Sequence, residues 1–145
     1  AARIKEGIQD ALYLGNLDAK RDWGFAPEYC EGMWLMLQQD KPTDYVLATG
    51  KNHSIREFCE LAFNELNIQI EWKGKGEDEI GVNAQTGKQL IGIDEKYYRP
   101  TEVEQLLGDA SKAKEELGWE PKISFEELVK LMIHADWEKV KKRGY

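Results

Sequence analysis

The stretch "SIREFCELAFNELNIQIEWKG", Ser54 to Gly74, changes its apolar period partway along. Ile55, Phe58, Cys59, Ala62, Phe63 and Leu66 recur at the spacing that puts side chains on one face of a helix. Ser54 at the head, with Glu57 three residues on, makes a capping box that satisfies the orphan amides of a first turn. Beyond Asn67 the period drops to two, and "IQIEWKG" alternates as a strand does. A capped helix running straight into a strand predicts an α/β fold.

The neighbouring segments fill in that scheme. Between Gly74 and Asp94 two apolar runs, "IGV" and "LIGID", are separated by "NAQTGKQ", which predicts a hairpin or a mobile flap. Residues 12–15 read as a short strand. Pro27 suits the first turn of a helix continued by "EYCEGMWLMLQQ", whose apolar face is wide enough to need cover on more than one side. "DYVLATG", Asp44 to Gly50, reads as a buried strand closed by glycine. Asp109 is placed to cap a short helix ended by Gly118, with Pro121 beyond it. Ser124 and Glu127 form a second capping box, and Phe125, Leu128, Val129, Met132 and Ile133 continue as one face, followed by Trp137 and Val140. No internal repeat or low-complexity linker interrupts the chain.

Composition narrows the chemistry. In 145 residues, 41% hydrophobic and 32% charged, 20 basic against 27 acidic residues give a net charge of −7. That balance opposes a general nucleic-acid or membrane-surface binder, so any bound anion must be held by a few placed cations. Cys30 and Cys59 lack CxxC or metal-ligand spacing and fall on apolar helix stripes, which reads as reduced core thiols in a cytoplasmic protein. No apolar run is long enough to span a bilayer. The opening "AARIKEGIQDALYLG" reads as a helix end entering a strand, and the expectation is a chain that starts mid-fold.

Nucleophilic and metal chemistry find little support. His53 and His134 stand without HExxH or GxSxG, and both read as structural. "GKGEDE", Gly74 to Glu79, approaches a dinucleotide fingerprint, but Glu79 stands where the third glycine belongs and would repel pyrophosphate. No Tyr is followed four residues later by Lys. What remains is two cationic stations, Lys20-Arg21 before Asp22-Trp23, and Arg99 in "YYRPTEVEQLLGD", with Glu102 three residues on. Each station can be a solvated turn or a helix entry, or it can aim a guanidinium fork at an anion. The two arginines act together only if the fold brings them together.

"LGNLDAKRDWG", "DYVLATG", "YYRPTEVEQLLGDASKAKEELGW" and "SFEELVKLM", in this order, resemble the GDP-mannose 4,6-dehydratases, which are extended short-chain dehydrogenase/reductases. The resemblance runs from about Ala1 to the end. It implies that residues 1–145 are the carboxy-terminal, sugar-nucleotide-binding part of a Rossmann-type α/β fold, a small mixed sheet with flanking helices, with residues 25–50 packing on an amino-terminal Rossmann domain. That domain would bind NADP and carry the catalytic group, leaving no catalytic, cofactor-binding or metal-binding residue here. It further implies that Arg21 and Arg99 hold the diphosphate and that Glu102 takes a ribose hydroxyl, with Asn16 and Lys20 as further candidates that could equally shape the loop. Trp23 would pack as a base for the turn and Asp22 would orient its neighbours.

The reaction implied for the whole enzyme is an internal redox dehydration of GDP-mannose to GDP-4-keto-6-deoxymannose, on the way to GDP-fucose. NADP takes hydride from C4, a base removes the C5 proton as the C6 hydroxyl leaves, and hydride returns to C6. A dimer or tetramer is the implied assembly, and the isolated chain is expected to be inactive. The alternatives are the substrate domain of another NDP-sugar epimerase or dehydratase, or a non-catalytic interaction module.

Overall fold

The computed structural model describes residues 1–98 and 107–144. Its elements begin with α1 (Ala2–Lys5), β1 (Leu12–Leu14), β2 (Lys20–Arg21), α2 (Ala26–Leu37), β3 (His53–Ser54) and α3 (Ile55–Asn64). They continue with β4 (Ile70–Lys73), a 3-10 turn (Gly76–Asp78), β5 (Ile80–Asn83), β6 (Gln89–Ile93), α4 (Ser111–Leu117) and α5 (Phe125–Arg143). The described residues fall into two units, one of residues 1–19, 54–98 and 129–144, the other of residues 20–53 and 107–128.

In the first unit the expected capping box is formed. Ser54 Oγ accepts from the Glu57 amide at 3.1 Å, and Glu57 Oε2 accepts from the Ser54 amide at 2.6 Å. Helix α3 thus starts where its apolar stripe starts, and Cys59 and Phe63 enter a buried cluster with Ile4, Leu17, Leu90 and Ile91. Phe63 and Ile91, 1% and 0% exposed, each contribute roughly 1.5–3 kcal/mol by leaving water. The sheet runs β1-β6-β5-β4 and is mixed, as expected: β1 lies parallel to β6, with Leu12 opposite Ile91, and the remaining pairs are antiparallel. The hairpin reading of residues 74–94 holds, with β5 and β6 as its arms. At Gly81 an added Cβ would lie 2.9 Å from the Trp72 ring and 3.3 Å from Ile91 Cβ, so the missing side chain lets Trp72 pack across the sheet.

Arg56 ties this unit together. Its Nη1 and Nη2 donate to the two oxygens of Glu79 at 2.7 and 3.0 Å, its Nε donates to Asp18 at 3.0 Å, and its guanidinium lies 4.7 Å from the Trp72 ring centroid. The carboxylate that breaks the fingerprint in "GKGEDE" therefore has a structural task, holding the turn before β5 onto α3.

The second unit is organised around α2. Glu28, buried in its first turn, accepts from the amides of Lys122 and Ile123 at 3.0 and 3.1 Å, while its carbonyl accepts from Trp119 Nε1 at 2.7 Å. Lys112 donates to Thr43 Oγ1 and to the Asp44 carbonyl, and the Tyr45 hydroxyl donates to Glu116, so α4 holds the start of "DYVLATG". Helix α4 ends at Gly118, whose φ of +67° suits glycine, as expected. Asp109 accepts from the Ser111 amide and hydroxyl just ahead of that helix, although the N-cap position itself belongs to Ala110. The second capping box, Ser124 with Glu127, is also formed.

Three expectations are corrected. "DYVLATG" enters no ladder among the described residues, and Val46 is 52% exposed. It is held by side chains and by two close approaches: a Cβ at Gly32 would lie 2.6 Å from Leu47 Cδ1, and one at Gly108 would lie 2.4 Å from Ala48 Cβ. Cys30 lies on an apolar stripe, but that stripe faces outward, so the thiol is exposed, with Met33, Trp34 and Leu37 at helical spacing beside it. Met132 is 46% exposed, because the buried stripe of α5 follows Val129, Ile133 and Val140 and leaves it at the edge.

The Arg56 junction yields a graded stability test. Arg56→Met should cost about 2 kcal/mol, because it leaves Glu79, 13% exposed at its side chain, without its cation. Asp18→Ala should cost about 0.5 kcal/mol or less, since Asp18 is 74% exposed and screened by solvent. Urea unfolding of the two variants checks the order, and equal midpoints would remove the junction from its central place.

Candidate functional site

The run "KRDWG" builds one wall of a cleft in the second unit. Asp22 anchors it: Oδ1 accepts from the Thr49 amide at 3.0 Å and from the Thr49 hydroxyl at 2.6 Å, and Oδ2 accepts from the Gly50 amide at 2.9 Å. One carboxylate thus fixes the end of "DYVLATG" to the residue beside Arg21. Trp23 stacks on Phe125 with ring centroids 5.6 Å apart, and His53 stacks on the same Phe125 at 3.9 Å. The indole thus packs on a ring of α5, and the Asp22 carboxylate is engaged by Thr49 and Gly50 rather than by its neighbours in the turn.

Asp22 and Arg21 line a cleft of about 410 Å³, together with Tyr29, the apolar run Val46, Leu47 and Ala48, and Leu107 and Gly108. Arg21 is half-buried, and its Nη1 donates to the Lys20 carbonyl at 2.7 Å. That bond holds part of the fork against its own backbone. A planar guanidinium beside an apolar wall is suited to an anionic group attached to a flat or apolar body.

Of the five residues expected to bind substrate, Arg21 lines this cleft. Lys20 is exposed. Asn16 belongs to the first unit, where its Oδ1 accepts from the Asp18 amide at 2.9 Å and shapes the loop. Arg99 and Glu102 lie outside the described residues. Tyr29 is the cleft residue that the sequence reading passed over, because it sits inside a helix read for its apolar face. Its place one turn inside a helix that opens soon after "KRDWG" is the signal that could have found it. Both histidines have structural surroundings: His53 stacks on Phe125, and His134 Nε2 lies 3.3 Å from Glu65 Oε2.

The family model described as GDP-mannose 4,6 dehydratase matches residues 1–132. A GDP-mannose 4,6 dehydratase of Dictyostelium discoideum is 56% identical over 140 residues, covering 97% of this chain and 39% of that relative. One of Homo sapiens is 54% identical over 137 residues, covering 94% of this chain and 37% of its own length. The chain therefore spans about two fifths of the length of the curated relatives it matches.

Among solved structures, RMD from Pseudomonas aeruginosa complexed with NADPH aligns with a TM-score of 0.71 at 22% identity, over 95% of this chain and 39% of that one. The dTDP-glucose 4,6-dehydratase of Bacillus anthracis in complex with NAD aligns at 0.69 and 19% identity, over 97% of this chain and 38% of that one. These two share the fold, that of the extended short-chain dehydrogenase/reductases. A family model over residues 1–132 and relatives more than half identical across nearly the whole chain place it in the GDP-mannose 4,6-dehydratase family.

Proposed function

We propose that this chain is the GDP-sugar-binding portion of an enzyme that converts GDP-mannose to GDP-4-keto-6-deoxymannose. The observation that carries the reading is Arg21 lining a cleft whose other wall is tied to it through Asp22. In this reading Arg21 and Arg99 grip the diphosphate and Glu102 accepts from a ribose hydroxyl, with Lys20 and Asn16 as weaker candidates for substrate contact. Binding energy from the nucleotide handle then holds the hexose in reactive geometry, which is how remote groups raise a rate.

The cofactor is proposed to be NADP, and the segment of this chain that approaches a dinucleotide fingerprint offers it no cradle. Gly74 to Glu79 form a 3-10 turn between two strands rather than a strand-to-helix turn, and Glu79 is engaged by Arg56. In this reading NADP and the catalytic group belong to an amino-terminal part of a cytoplasmic, homo-oligomeric enzyme. Residues 25–50 are proposed to pack on that part. The support is the exposed stripe of Cys30, Met33, Trp34 and Leu37, whose three large side chains are 55%, 59% and 81% exposed.

Thiol labelling tests the packing. In the 145-residue chain Cys30 should react fast and Cys59 slowly, because burial pushes the Cys59 thiol up to about 11 and keeps it protonated at neutral pH. In a gene product that also carries the amino-terminal part, Cys30 should become slow as well. Unchanged fast labelling would overturn the packing.

Catalysis and binding are tested separately. The 145-residue chain should form no 4-keto product from GDP-mannose, with or without NADP. Product that is lost on mutating a residue within the chain would contradict this. In the natural gene product, Arg21→Ala and Arg99→Ala should each weaken GDP binding on the order of tenfold to a hundredfold while leaving NADP affinity nearly intact. Their effects should be non-additive, Lys should rescue either position only in part, and Glu102→Gln should weaken binding less than either Arg change. Calorimetry reads all of these, and parent-like GDP affinity in both Arg→Ala variants would return the two stations to solvated turns.

A further inference from the structure

Tyr29 lines the same cleft as Arg21, and its phenol is held from two sides. Its ring meets Trp119 edge-to-face, with centroids 5.7 Å apart and planes at 69°. Trp119 is itself fixed by the bond from its Nε1 to the Glu28 carbonyl. On the other side the phenol lies against the backbone of Gly24, where an added Cβ would fall 2.3 Å from Cε2 and 2.4 Å from Oη. Glycine at 24 is thus what lets the ring lie in the turn that follows Arg21. Among the described residues no hydrogen-bond partner takes the Tyr29 hydroxyl.

Its surroundings decide what it can do. Burial, and then the charges of Asp22 and Glu28, raise the phenol above its ordinary pKa, so it stays a neutral donor throughout the neutral range. The Asp22 carboxylate already accepts three bonds from Thr49 and Gly50; Glu28 Oε1 accepts two from Lys122 and Ile123, while Glu28 Oε2 is buried without a partner and makes no bond to the phenol. A rigidly seated donor in the cleft that holds a guanidinium complements an anionic oxygen.

We propose that Tyr29 is a further ligand-contacting residue, whose hydroxyl donates to an oxygen of the diphosphate that Arg21 holds. The inference rests on the reading of Arg21 as a diphosphate ligand. It adds a neutral, directional donor to the charged fork, which helps separate a correctly placed diphosphate from any other anion.

Calorimetry on the natural gene product tests this, with GDP and inorganic pyrophosphate as probes and Arg21→Ala alongside. Tyr29→Phe keeps the ring and its contact with Trp119, so the melting temperature and NADP affinity should match the parent. Affinity for both probes should fall by about tenfold. Parent-like affinity in Tyr29→Phe, with Arg21→Ala weakened, would overturn the role of Tyr29 and leave that of Arg21. Loss of GDP but not pyrophosphate affinity would assign the hydroxyl to the nucleoside and overturn the diphosphate contact. A fall in melting temperature and NADP affinity together with GDP affinity would make it structural. Parent-like binding in both variants would remove Arg21 and Tyr29 together.

Discussion

One carboxylate, that of Asp22, sets the geometry on which the candidate site depends. Its three accepted bonds join the residue beside Arg21 to Thr49 and Gly50, 27 and 28 positions along the chain. Charge-assisted bonds of this kind are shorter and stronger than neutral ones, and two of the three donors are backbone amides whose direction is set by the chain itself. The apolar run from Val46 to Ala48 ends at this anchor, so the wall of the cleft is located by the residue that follows the guanidinium in sequence. Removing the anchor would leave Arg21 in place but no longer facing a defined surface.

The same economy recurs elsewhere. Glu28 uses one oxygen to hold the amides of Lys122 and Ile123 and its own carbonyl to hold Trp119, so a single helical position seats the loop that supports Tyr29. Arg56 does for the first unit what these acids do for the second, spanning α3, the loop at Asp18 and the turn at Glu79. In both units the hydrophobic clusters supply bulk stability, whereas a few charged side chains decide where loops lie. Loops carry no periodic pattern that could place them otherwise.

That division explains what could be read beforehand. Both capping boxes, the helical stripe of α3 and the alternation of β4 were legible because each is a local pattern with one geometric solution. The mixed sheet and the family motifs were legible too. "DYVLATG" misled, because its composition suits a strand while ladder formation depends on a neighbour that composition does not supply. Cys30 misled for a related reason: periodicity shows that a stripe exists but not whether it faces a core. Tyr29 was hidden by the same periodicity, since a residue counted into an apolar face is not searched for a polar role. Arg21 stood out by the density of charge beside Trp23, a local signal again, while the link from its neighbour Asp22 to Thr49 and Gly50 spans too many residues to be visible as a motif.

Helix α2 shows how one element can serve two surfaces. Glu28, Tyr29 and Gly32 lie toward Trp119 and Leu47, and there every position has a specific neighbour. Cys30, Met33, Trp34 and Leu37 follow at the same helical spacing on the opposite side and remain in water. Full burial of a large apolar side chain is worth roughly 1.5–3 kcal/mol, so leaving Met33, Trp34 and Leu37 exposed forgoes several kcal/mol that a covered helix would gain. A helix apolar on nearly all sides belongs in an interior. Under the proposed packing of residues 25–50, that missing contribution becomes the adhesion between the nucleotide-holding part and the part that carries the cofactor.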